Sequence, residues 1–295
     1  MKLTTIRNAI ATTLFVPLVA SAQAPSTDIG LVEISDGKVD LARFVRVTDR
    51  PSYDNQPSFL PDGSLAYTAM QEDGSTNVHR YDVASGEANP LTSTPESEYS
   101  ATPVPGRDEV SVIRDFGNLK QELWAYSTTD PNAEPRLLLP DVNPVGYHAW
   151  VDDTSLLLFV LGEPQTLQVA VVGPGAGDIV GQSPGRSLAR IPGTAAMSFV
   201  SKASETEWPL TTFNPSTGEK VTLVNMPSGS EDLAWSPAGV AWTGVGSKLY
   251  TWTAGASDWE EAADLEALGI RNITRLSFDT DGSTLALVFE RAAGE

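Results

Sequence analysis

Residues 55–82 alternate short apolar runs with polar turns. Pro57 to Leu60 lead into Pro61-Asp62-Gly63, and Leu65 and Tyr67 then alternate with smaller residues. A period of two closed by an Asp-Gly turn predicts a β-hairpin, since a helix would need apolar positions three and four apart. The pattern returns at residues 101–113, 148–161, 188–200, 233–244 and 276–289. Aligned on the apolar residue before each turn, Phe59, Val104, Trp150, Ile191, Trp235 and Phe278 fall into register at steps of 45, 46, 41, 44 and 43 residues. Six copies at so even a spacing identify a repeat architecture.

Between the hairpins lie further segments rich in Val, Leu, Thr, Tyr and Trp, so each repeat holds four short strands. That is the arrangement of a β-propeller blade, and the fold predicted is an all-β, six-bladed β-propeller. Glu261 fits a helix over residues 258–268, but every other repeat has its outer strand there, and the periodicity favours a strand. The sixth repeat ends two strands short, while residues 31–34 and 41–47 form a strand pair with no inner hairpin before it. The ring is therefore expected to close by pairing these N-terminal strands with the C-terminal hairpin, which removes exposed edges without a disulfide. The PDG-type turns and their spacing resemble the propeller repeats of the TolB family, which occurs in exported bacterial proteins. The resemblance runs over nearly the whole chain and concerns a repeat, not a site.

Residues 1–22 have the three parts of a secretory signal peptide: basic Lys2 and Arg7, an apolar run over 9–20, and a small-x-small end at Ala20-Ser21-Ala22. Residues 23–295 then make one propeller domain, and the expected location is the periplasm. The apolar run is too short to span a membrane, and no other segment could span as a helix. With no cysteine in the chain, neither disulfides nor acylation of a cysteine is available. The net charge of −19 makes nucleic acid and anionic lipid unsuitable partners. Its 41% apolar content and seven tryptophans exclude the disorder that acidity alone could signal.

Chemistry is sparse. Gly181-Gln182-Ser183-Pro184-Gly185 matches the nucleophile-elbow pattern, but the following residues read as a strand, and the elbow requires a helix. Asp279-Thr280-Asp281-Gly282 has glycine at the fourth position where a calcium-binding EF-hand loop needs it at the sixth, so it reads as the sixth hairpin turn. Two histidines cannot build a zinc centre of two or three histidine ligands. No cofactor is expected, although the acidic content is compatible with calcium. Radial symmetry gathers the residues just before each inner strand around the channel mouth, and Tyr99, Tyr147, His148, Arg186, Asp232 and Arg271 are the candidate ligand-binding set. Arginines there suit a carboxylate or phosphate, and tyrosines suit stacking.

Two function classes follow. One is a non-catalytic, monomeric binding or scaffold protein for a periplasmic protein, a peptide or a small envelope ligand, as the TolB resemblance implies. The other is a carboxylate- or calcium-dependent hydrolase or lyase of lactonase type, with its site in the channel. The lack of a nucleophile-base pair favours binding.

Overall fold

Aspartates set the hairpin turns. Asp62 Oδ1 accepts from the Ser64 amide at 3.0 Å and its hydroxyl at 2.6 Å, Asp152 does the same for Thr154, and Asp281 holds the Ser283 amide. These Asx turns bring the chain back on itself, and Gly63, with φ of 84°, supplies a left-handed residue that a side chain would strain. The computed structural model describes residues 25–290, in which the turns join strands into six four-stranded antiparallel sheets. Blade 1 runs from the inner strand Asp54–Phe59 through Leu65–Met70 and Thr76–Asp82 to the outer strand Glu87–Pro90. Blades 2 to 5 repeat that order, with inner strands Ser97–Pro103, Val145–Trp150, Pro184–Arg190 and Ala234–Trp235. The leader read at residues 1–22 lies outside the described residues.

Blade 6 draws on both ends of the chain. From outside inward its strands are Lys38–Arg46, Thr27–Ser35, Thr284–Glu290 and Leu276–Phe278. Thr27–Ser35 pairs with Thr284–Glu290 over an unbroken register from Thr27 opposite Glu290 to Glu33 opposite Thr284. Gly30 makes the junction tight: a Cβ there would sit 2.4 Å from the Phe44 ring, which in turn meets Phe289 edge-on.

The second strand of a blade is buried on both faces, as the near-continuous apolar runs of Ser155–Val160 and Thr284–Glu290 require. It lies between two neighbouring sheets, so the interior is divided into six clusters, one at each contact between blades. Ile29, Phe59, Leu65 and Val288 fill the contact between blades 6 and 1, for example. Each fully buried large side chain contributes on the order of 2 kcal/mol. Tryptophan N–H groups pin neighbours together: Trp150 donates to Ser111 in blade 2 and Trp235 to Ser198 in blade 4, both at 2.9 Å.

Two local expectations are corrected or resolved. Inner strands begin earlier than the alternation indicated, at Asp54 where Pro57 was expected, because bulges interrupt the pattern. Register shifts fall between Asn55 and Ser58, Tyr99 and Thr102, Val145 and Tyr147, and Pro184 and Leu188. Residues 258–268 contain the outer strand Glu260–Asp264 and only a single 3-10 turn at Glu266–Leu268.

Candidate functional site

The six inner strands enclose a central channel with a cavity of about 410 Å³. In blades 1 to 4 a bulge near the beginning of the inner strand re-aims side chains there. Gln56 and Ser100 take the strained left-handed backbone there, with φ of 54° and 56°, and the Gln56 side-chain oxygen accepts the Ser100 amide at 2.9 Å across the blade boundary.

At this end of the channel each blade contributes to one cluster: Tyr53, Tyr99, Tyr147, Arg186, Asp232 and Arg275 in blade order. Asp232 is the hub. Arg186 grips it with Nε to Oδ1 at 2.9 Å and Nη2 to Oδ2 at 2.5 Å, and Arg275 reaches Oδ1 at 3.3 Å. Such a fork fixes the plane of both groups. Glu231 bonds Lys202 at 3.2 Å and lies 3.7 Å from Arg186. The Arg275 guanidinium carbon lies 4.9 Å from the Tyr147 ring centre, a contact across the channel between blades 6 and 3.

The fields follow from this packing. Burial works against the Arg186 charge, but the bonds and charge of Asp232 outweigh it and hold its pKa above the ordinary value. Burial pushes the Tyr53 hydroxyl up to about 12, partly offset by Arg275 and Arg186. Tyr53 is therefore a neutral hydrogen-bonding group at neutral pH.

Of the sequence-predicted set, Tyr147, His148, Arg186 and Asp232 line the cavity. Tyr99 is half-buried against the contact between blades 2 and 3, close enough to raise the Tyr53 pKa, but it is not part of the cavity wall. Arg271 does not join them. It is exposed and pairs along the backbone with Glu290, so the blade 6 arginine in the channel is Arg275. The repeat register contains that signal: three residues before the aligned turn position stand Tyr147, Asp232 and Arg275. Glu231 directly precedes the candidate Asp232 in the sequence, whereas Lys202 gave no sequence signal, because it follows a second strand and reaches the mouth only through the fold.

His148 is buried, and burial lowers its pKa to about 3, so it is neutral. Its Nε2 lies 2.7 Å from Ser111 Oγ. This is not a catalytic dyad, since Ser111 is inaccessible and its hydroxyl donates to the Thr102 carbonyl while accepting from Trp150. Ser183 joins two strands with φ of 50°, and no helix follows it. Among the described residues no three His, Asp or Glu side chains converge as a metal site, and no helix is long and apolar enough to cross a membrane.

No family model matches the chain, and no curated protein matches its sequence. Solved structures do match its shape. A TolB-like protein from Agrobacterium tumefaciens superposes with a TM-score of 0.69 at 13% identity, over 92% of this chain and 100% of that one. A gluconolactonase from Xanthomonas campestris gives 0.63 at 11% identity, over 92% and 99%. TolB from Acinetobacter baumannii gives 0.57 at 12% identity, over 90% of this chain and 64% of that longer one. At these identities the likeness establishes the six-bladed propeller fold.

Proposed function

We propose that this is an exported, periplasmic binding protein, built like the TolB propellers, that holds a protein, peptide or envelope ligand at the channel. The observation that carries this reading is the six-blade cluster around Asp232. It offers a fixed guanidinium fork, a stacked cation and the Tyr147 phenol in the cavity wall, which orient and hold a ligand. None of these groups forms a nucleophile-base pair. The likeness to TolB structures supports binding at the level of the fold.

The likeness to a gluconolactonase supports a second reading, a carboxylate- or calcium-dependent hydrolase in the same channel. One experiment separates the two. The native protein and Asp232→Asn are incubated with lactones, with and without calcium, and with candidate peptides. The binding reading expects retained ligand and no turnover. Turnover that Asp232→Asn abolishes would replace it with the hydrolase.

A further inference from the structure

Two features of the channel wall are left uncompensated by the protein itself. The first is charge. Around Asp232 the cations are Arg186, Lys202 and Arg275, and the anions are Glu231 and Asp232. One positive charge is in excess, in a chain whose net charge is −19. It falls to Arg275, because Asp232 gives both oxygens to the Arg186 fork and Arg275 has a single longer contact. The Arg275 side chain is only 16% exposed, so water compensates it poorly.

The second feature is a lone pair. Ser111 has one hydroxyl hydrogen; given to the Thr102 carbonyl at 3.1 Å, it leaves His148 Nε2 as the donor in the 2.7 Å bond to Ser111 Oγ, the tautomer in which all three contacts of Ser111 are hydrogen bonds. That tautomer leaves His148 Nδ1 as a pure acceptor. Nδ1 is buried and meets no protein donor, although His148 lines the cavity. Ser100 Oγ, on the same wall, is likewise buried without a protein partner. An acceptor so placed calls for a donor from outside the protein, either a water or the hydroxyl of a guest.

We propose that the channel receives a small hydroxy acid, its carboxylate on Arg275 and its hydroxyl donating to His148 Nδ1. Ser100 Oγ accepts or donates a further hydroxyl bond, and the cavity of about 410 Å³ holds a guest of several carbons. Arg275 suits a carboxylate because a guanidinium offers paired N–H groups in one plane. The lone pair at Nδ1 rejects an acid without a hydroxyl by leaving a buried acceptor unpaired. The proposal takes from the binding reading only that the channel is the ligand site, and it names the chemistry of the guest.

The test is calorimetric titration with three matched four-carbon probes: threonate, butyrate, which lacks the hydroxyls, and threitol, which lacks the acid. Threonate is expected to bind at least tenfold more tightly than either, and Arg275→Ala to weaken it at least tenfold. Ser100→Ala leaves the His148 bonds in place and is expected to weaken threonate but not butyrate. A direct readout uses the fact that His148 is one of two histidines in the chain. Its Nδ1 nitrogen resonance should move upfield, as an acceptor's does, on adding threonate and not on adding butyrate. Equal binding of butyrate, or an Nδ1 resonance that already shows an acceptor bonded to water and does not respond to threonate, overturns the proposal. An acetylated Gly-Asp-Gly peptide that binds as tightly as threonate also overturns it, while leaving the binding-protein reading intact.

Discussion

His148 owes its depressed pKa to burial alone, and that has a consequence for stability. The ring stays neutral in the folded chain down to about pH 3, while in the unfolded chain it takes up a proton below about 6.5. Its contribution is therefore fully present above pH 6.5 and is lost as the pH falls toward 3, by up to a few kcal/mol. Urea midpoints measured from pH 7 to pH 4 should fall less steeply in His148→Gln than in the native protein, and equal slopes would contradict the burial argument. Glu98 has the opposite sign. It is fully buried, and burial raises its pKa against the bond that the Thr94 hydroxyl donates to its Oε1 at 3.0 Å. Its protonated form favours folding below about pH 4.5, and that advantage is lost as the pH rises through its raised value. Glu98→Gln should hold stability flatter from pH 5 upward, and a steeper decline than in the native protein would refute the assignment.

Among the strands, the turns were legible in the sequence and the strand starts were not. Asp62, Asp152 and Asp281 announce their turns by spacing alone, because a short carboxylate bonding two residues ahead is a local interaction. The bulges at Gln56 and Ser100 depend on contact between neighbouring blades, so alternation hid the first residues of the inner strands. Arg275, not Arg271, immediately precedes the blade 6 inner strand Leu276–Phe278, and no register shift falls there, so this residue was legible in the repeat register. Close approach between strands was hidden, as the bulges were. A Cβ on Gly244 would meet Ile273 Cγ2 at 2.4 Å and Cβ at 2.7 Å, contacts with a branched side chain that cannot swing away. Gly244→Ala should cost about 2 kcal/mol by overpacking the contact between blades 5 and 6. A calorimetric melt unchanged in that variant would mean that the two blades are less tightly apposed than described.

The whole molecule is held as a ring by one seam, and its period and incomplete ends were both readable from the turns. A chain beginning at Gln56 would lose Thr27–Ser35 and Lys38–Arg46, uncovering Leu285, Leu287 and Phe289, which are fully buried. Such a chain should be insoluble or should melt far below the native protein, through exposed strand edges and apolar faces. Equal stability would contradict the seam. What the sequence could not show is which side of each inner strand faces the channel, since that is decided by the bulges and by contacts across the ring such as Arg275 on Tyr147. The most direct measurement of the site is a thermal-shift panel of metals, sugars, hydroxy acids and peptides on the native protein, Arg275→Ala and Arg271→Ala. A ligand that raises the native melting temperature does so by mass action. Its shift should be lost in Arg275→Ala and kept in Arg271→Ala. A shift kept in Arg275→Ala and lost in Arg271→Ala would place the ligand outside the channel and contradict the account.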